Sequence, residues 1–128
     1  MIYLDTSVAL AQLLAEDRAP PEFLWDRPLV SSRLLEYEVW NRLHASGLAR
    51  SHGEEARALI DRLALIELAP TVLARAVEPF PMRLRTLDAL HLPSVEFLRS
   101  QGQAIELATY DDRMAAAARA LDVELLAL

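Results

Sequence analysis

Ile2-Tyr3-Leu4-Asp5-Thr6-Ser7 begins the chain with a short apolar run, which an acid and two hydroxyl residues follow directly. The apolar run is typical of a buried strand, and Thr6 or Ser7 can cap the apolar helix that we expect from about Ser7 to Ala15. A similar succession of strand, polar turn and helix recurs along the chain. It predicts an α/β fold in which helices cover both faces of a parallel sheet.

Strands and helices alternate after this first unit. Further strands are predicted at Leu29–Ser31, Leu65–Leu68, Ile105–Ala108 and Val123–Leu126. Helices are predicted after Pro20-Pro21, from Ser31 or Ser32 to about Ala45, around Ala56–Leu63, at Thr71–Val77, from a Thr86 cap through a kink at Pro93, and at Asp111–Leu121. We expect one domain that spans residues 1–128.

Composition limits the classes of protein that the chain can be. Its 128 residues are 53% hydrophobic, which is enough for a buried core. It has no cysteine, which excludes disulfides, thiolate zinc sites and cysteine nucleophiles. No apolar run approaches the roughly 20 residues that span a bilayer, so we expect a cytoplasmic protein without membrane association.

Four acids each lie where a predicted strand passes into a helix or on the first turns of a helix. They are Asp5, Glu38, Asp88 and Asp111. The carboxyl ends of parallel strands meet at one edge of a sheet, so these side chains can converge although they are far apart in sequence. Clustered carboxylates repel one another unless a cation lies among them. The pattern therefore predicts a site for Mg²⁺ or Mn²⁺, which prefer oxygen ligands and can activate water for phosphodiester cleavage.

Each acid also has a simpler interpretation. Asp5 and Asp111 can be helix N-caps, with Asp112 as a second cap candidate, and Glu38 can form a surface pair with Arg42 one turn on. Glu36 points about 200° away from Glu38 on the same helix, so only one of the two can face the edge of the sheet. The apolar stripe of that helix favours Glu38.

Other polar residues lie close to these acids in sequence. His91 is one turn beyond Asp88 and can contact a phosphate or a metal-bound water, although packing at the sheet edge is the more common role for such a residue. Thr6 and Thr109 adjoin acids and can orient a carboxylate or water through their hydroxyls. Tyr110 can stack on a base.

The charge balance argues against a nucleic-acid partner. The net charge is −6, although it would be −2 without the four candidate ligands. All thirteen basic residues are arginines, whose planar fork suits phosphate, but a bias in genomic base composition is the more common explanation for this.

The arrangement resembles the PIN-domain family over the entire chain, and within it the VapC toxins. The blocks that carry the resemblance are Asp5-Thr6-Ser7, Ser32 to Glu38-Val39-Trp40-Asn41-Arg42-Leu43, Leu87-Asp88-Ala89-Leu90-His91-Leu92, and Thr109-Tyr110-Asp111-Asp112-Arg113 with Ala116-Ala117-Ala118. Pro93 departs from the pattern, because such proteins commonly have alanine there. It removes the helical hydrogen bond to Ala89.

The resemblance implies a compact α/β/α sandwich and a Mg²⁺- or Mn²⁺-dependent endoribonuclease. It also implies a homodimer held inactive by a small, separately encoded antitoxin. The acidic set falls on Asp5, Glu38, Asp88 and Asp111, with Asp112 as an occasional addition. An alternative is a PIN-like interaction module without nuclease activity. A receiver-type signalling domain would normally need a lysine near its end, and the chain has none.

Overall fold

Five parallel strands form the centre of the molecule, which is described here from a computed structural model of residues 1–128. The strands are β1 (Ile2–Leu4), β2 (Leu29–Ser32), β3 (Ala64–Ile66), β4 (Glu106–Ala108) and β5 (Glu124–Leu125). Their order across the sheet is β3-β2-β1-β4-β5, and every neighbouring pair is parallel. The chain therefore builds outward from β1 to β3 and then returns to the other side of β1.

Helices connect successive strands, as parallel pairing requires. They are α1 (Thr6–Leu14), α2 (Arg33–Ala45), α3 (Ala49–Asp61), α4 (Pro70–Ala76), α5 (Asp88–Ser100) and α6 (Asp112–Ala120). A short 3₁₀ helix, Glu22–Asp26, follows the proline pair between α1 and β2. None of these helices combines the length and the hydrophobicity of a membrane span.

Two hydrophobic cores lie on opposite faces of the sheet. Ile2 and Leu4 of β1 belong to the core formed with α1, α2 and α3, whereas Tyr3 between them belongs to the core formed with α5 and α6. Successive strand residues point to opposite faces, so a strand of three buried residues contributes to both cores. The predicted α/β/α sandwich with a central parallel sheet is confirmed.

Three local predictions needed correction. Thr86 caps no helix, because the preceding turn already has helical backbone at Leu87 (φ −69°, ψ −36°) and leads straight into α5. β3 ends at Ile66 and not at Leu68, since Ala69 is already the extended N-cap residue that Pro70 at the start of α4 requires. The last strand is limited to Glu124–Leu125. By contrast, α5 continues through Pro93 to Ser100.

Candidate functional site

The candidate site lies at the carboxyl ends of β1 and β4, where the order of strands reverses. Asp5 follows β1 directly, and its backbone N–H donates to Ala108 at the end of β4. Ligands of open α/β sheets bind in the crevice at such a reversal, because the connections from the two strands diverge and leave it open. The topology therefore places Asp5 in the middle of this crevice.

Hydroxyl groups hold the Asp5 carboxylate in place. Ser7 Oγ donates to Asp5 Oδ2 at 2.6 Å, and Thr109 Oγ1 donates to the same oxygen at 2.8 Å. Asp5 occupies the N-cap position of α1 but accepts no capping hydrogen bond there. The helix-cap interpretation is thus wrong for Asp5, and its Oδ1 has no protein hydrogen-bond partner.

Asp111 does act as a helix cap. Its Oδ1 accepts from the backbone N–H groups of Arg113 (2.8 Å) and Met114 (3.1 Å) at the start of α6. The cap uses one oxygen and fixes the direction of the carboxylate. Asp111 remains close enough to Asp88 for its charge to affect that residue. A capping role and a place in the acidic group are therefore compatible.

The carboxyl group of Asp88 is strongly perturbed by its surroundings. It begins α5, is 8% exposed, and its Oδ2 is buried without a hydrogen-bond partner. Burial and the negative charges of Asp111 and Asp5 raise the pKa of Asp88 to about 6, against the opposing effect of His91 and Arg85. A buried carboxylate oxygen without a partner is costly, and a cation would satisfy it.

Glu38 faces the site and Glu36 does not, as the helical geometry of α2 predicts. Thr6 Oγ1 donates to Glu38 Oε1 at 2.9 Å, and His91 Nε2 lies 2.6 Å from the same oxygen. Glu36 instead contacts Arg33 one turn earlier, at 3.4 Å. Glu38 makes no ion pair with Arg42, so the surface-pair interpretation is wrong.

His91 is a buried polar link between β1 and α2. It is 1% exposed, and its Nδ1 lies 2.8 Å from the Tyr3 hydroxyl. Burial alone lowers the pKa of His91, but the hydrogen bond to Glu38 and the charge of Asp5 raise it above its ordinary value. Burial also raises the pKa of Tyr3, so its hydroxyl keeps its proton. The Glu38 carboxylate accepts, so His91 Nε2 carries the proton that faces it.

Two of these contacts were not predicted from the sequence. Tyr3 was expected only as a strand residue, and Ser7 only as a helix cap. A buried tyrosine hydroxyl needs a hydrogen-bond partner, so Tyr3 in an apolar strand indicates a polar contact inside the protein. Ser7 is weaker evidence of such a contact, since its hydroxyl lies two residues after a turn aspartate.

The remaining predicted residues border the acidic group. Arg42 shares a cavity of about 590 Å³ with Ser7, Tyr110 and Asp111. Asp112 is exposed, shares a second cavity with Tyr110 and Asp111, and also lines a third. The residues of the predicted site therefore all lie at or beside one edge of the sheet.

The side chains do not by themselves form a complete metal site. No three Asp, Glu or His residues are gathered closely enough to hold one ion. Glu38 contacts His91, and Asp111 caps α6. Mg²⁺ usually takes only one or two carboxylates and completes its coordination with water and substrate phosphate. The free Oδ1 of Asp5 and the unpartnered Oδ2 of Asp88 fit that requirement.

Comparison with known proteins agrees with this architecture. The PIN domain family matches residues 2–120. The chain is 40% identical to Ribonuclease VapC46 of Mycobacterium tuberculosis over 130 residues, which cover 98% of this chain and 96% of that protein. It is 33% identical to Ribonuclease VapC35 of the same species over 135 residues, or 99% and 96% of the two chains.

A solved structure has the same fold. A chain of a toxin-antitoxin complex from Klebsiella pneumoniae superposes with a TM-score of 0.66 over 91% of each chain, at 20% sequence identity. That similarity concerns the fold, whereas the family match across residues 2–120 and the 40% identity over nearly the full length show the family. The chain belongs to the PIN-domain family, as a VapC-type member of it.

Proposed function

We propose that the chain is a divalent-metal-dependent endoribonuclease and the toxin of a type II toxin–antitoxin pair. The observation that carries the proposal is the buried, unpartnered carboxylate of Asp88 beside Asp5 and Asp111 at the strand-order reversal. Relatives that are 40% and 33% identical are named ribonucleases, which makes RNA the substrate to test.

The roles of the acids follow from which of their oxygens remain free. Asp5 and Asp88 would hold the ion, with Asp111 adding negative charge beside them. A bound Mg²⁺ or Mn²⁺ supplies Lewis-acid chemistry, in that it makes water more acidic and offsets charge on a phosphate. Ser7 and Thr109 orient Asp5, so the carboxylate needs no rearrangement to bind.

Glu38 is suited to accept a proton from the attacking water. Its Oε1 is taken by Thr6 and His91, which leaves Oε2 without a protein partner. In hydrolysis of the phosphodiester, a water oxygen bonds to phosphorus and the bond to the leaving ribose oxygen breaks. A carboxylate fixed through one oxygen can take the water proton through the other.

The partners are inferred from the relatives. The Klebsiella pneumoniae structure of the same fold is a toxin-antitoxin complex, so we propose a small antitoxin protein as the partner of this chain. We also propose a homodimer in the cytoplasm. Phe23 and Val77 are large apolar residues that are 49% and 86% exposed, and an interface would cover such residues. Co-purification with the product of an adjacent reading frame, and light scattering, test these two inferences.

The decisive experiment is RNA cleavage by the purified chain with Mg²⁺, with Mn²⁺ and with chelator. We expect cleavage only with metal, and loss of at least about 100-fold in Asp88→Asn. Asp61→Asn, an exposed acid at the end of α3, is the matched control and should cleave like the wild type. A chain that binds the antitoxin but cleaves no RNA with either metal would instead be an interaction module.

A further inference from the structure

The arginines divide into two groups by what their side chains contact. Seven of the thirteen make a hydrogen bond, an ion pair or a contact with an aromatic ring. Six make none, namely Arg42, Arg50, Arg83, Arg85, Arg113 and Arg119. An exposed arginine without a carboxylate partner keeps all its donors available for a ligand.

Three of the six unpartnered arginines line one groove. Arg83, Arg85 and Arg113 surround a cavity of about 500 Å³ between the segment before α5 and the first turn of α6. Asp112 is its one acidic residue, and none of the arginines forms an ion pair with it. We call this cavity the arginine groove. It is a positive surface on a chain whose net charge is −6.

The arginine groove adjoins the acidic group. Arg85 lies near enough to Asp88 to oppose the rise of its pKa, and Arg113 donates its backbone N–H to Asp111. Asp111 itself lines the cavity of about 590 Å³ that contains Tyr110 and Arg42. A strand that crosses the acids would thus meet guanidinium groups and an aromatic ring in the two cavities that border the start of α6.

We propose that the arginine groove binds phosphates of a single RNA strand on one side of the bond that is cut. The inference rests on the proposed function, since it concerns the substrate of the same site. Guanidinium groups bind phosphates through two parallel hydrogen bonds, and proteins that hold single strands combine a positive groove with stacking aromatic residues. The positive groove also resolves the objection from net charge, because binding depends on local charge at the site.

The test compares two triple variants that remove the same net charge. In one, Arg83, Arg85 and Arg113 become Gln. In the other, Arg27, Arg50 and Arg99, which are exposed and outside the groove, become Gln. Binding of a labelled single-stranded RNA is measured in chelator over a range of salt concentrations. We expect the groove variant to lose at least about tenfold in affinity and about 2 units of salt slope, at roughly 0.7 per phosphate contact, and the control to change little.

Several outcomes would overturn the proposal. The groove variant would bind RNA as tightly as the wild type, or the two triple variants would lose the same amount of RNA affinity. In a third outcome the groove variant would keep its RNA binding but lose binding to polyglutamate. The last would assign the groove to an acidic protein segment.

If the groove variant does not fold like the wild type in a thermal melt, the single changes Arg83→Gln and Arg113→Gln replace it. Binding in chelator is independent of cleavage, so the groove and the nuclease activity can fail separately.

Discussion

At the scale of single residues, the site depends on how each carboxylate oxygen is used. Asp5 is held by two hydroxyls, Asp111 by two backbone N–H groups, and Glu38 by a threonine and a histidine. Asp88 has a buried oxygen with nothing bound to it. The three acids with hydrogen-bond partners are therefore held in one orientation. Asp88 has none at its buried oxygen, so the free-energy cost of burying a carboxylate beside other acids falls on it.

Glu38→Gln and Glu36→Gln form a matched pair two residues apart on α2. We expect Glu38→Gln to lower the rate of RNA cleavage at least about 100-fold, because the amide cannot accept a proton from water. Glu36→Gln should stay within about twofold, since Glu36 contacts only Arg33 on the outer side of the helix. Single-turnover cleavage of one RNA by both variants measures the difference. Equal losses would contradict the role given to Glu38.

Asp88 should make the metal-free protein less stable as pH rises. Its folded-state pKa of about 6 exceeds the ordinary value of 3.8, so the folded protein binds the proton more tightly than the unfolded chain does. The free energy of unfolding therefore falls between about pH 4 and pH 6 and levels off above it. Asp88→Asn removes the charge that causes this loss of stability, and the amide of the new side chain can donate to the neighbouring carboxylates.

In chelator at pH 7, we expect Asp88→Asn to be more stable than the wild type by about 1 kcal/mol. This is less than the whole shift in the pKa of Asp88 would imply, because solvent screens part of the charge. At pH 4 the difference should disappear. Urea unfolding at the two pH values measures it, with Asp61→Asn as a control that shows no such dependence on pH. A difference of equal size at both pH values would mean that repulsion is not its cause.

At the scale of elements, the ends of helices position the site. Ser32 ends β2 and caps α2, since its Oγ accepts from the backbone N–H of Leu34 at 3.1 Å. This cap defines the start of α2, and the buried Leu35, Val39 and Leu43 turn Glu38, and not Glu36, toward the site. At the other end of α2, Gly47 adopts a positive φ of 68°, which ends the helix.

Ser32→Ala should destabilise the protein by about 1 kcal/mol, because the first turn of α2 loses the acceptor for a buried N–H. In a chain of this length the melting temperature should fall by roughly 4 °C. Ser46→Ala at the exposed end of the same helix is the control, since Ser46 makes no side-chain hydrogen bond, and its effect should be within about 0.5 kcal/mol. If both changes cost the same, the Ser32 cap does not stabilise α2.

At the scale of the whole molecule, the order of strands brings the acids together. Because β4 returns to pair with β1, Thr109 comes to donate to Asp5, 104 residues away. Asp88 and Asp111 enter the same crevice from α5 and from the turn after β4. Binding of one cation in this crevice would therefore stabilise the packing of distant parts of the chain.

Bound metal should raise the stability of the wild type, and it should raise the stability of Asp5→Asn much less. A ligand that binds only the folded state stabilises it by roughly 1.4 kcal/mol at ten times its Kd. Melting temperatures with chelator and with increasing Mn²⁺ measure the effect without reference to activity. Asp61→Asn should respond to Mn²⁺ like the wild type. An equal response of Asp5→Asn would remove Asp5 from the proposed metal site.

The sequence by itself determined the features that depend on local periodicity. Apolar runs and polar turns define the strands, the acids that follow them, and most helices. The repeat of 3.6 residues also determines that Glu36 and Glu38 point apart. Thr86 does not cap α5 as its local pattern predicts, because a cap needs extended backbone and the backbone is already helical at Leu87.

Tertiary structure alone decided which of these residues meet. The contacts of His91 with Glu38 and Tyr3 join positions 53 and 88 residues apart, and the groove joins Arg83 to Arg113. Such pairs depend on the order of strands and on how α5 and α6 pack against the sheet, which no local pattern encodes. For the same reason, the sequence showed thirteen arginines in a chain of negative net charge, and only the folded chain placed three of them together beside the acids.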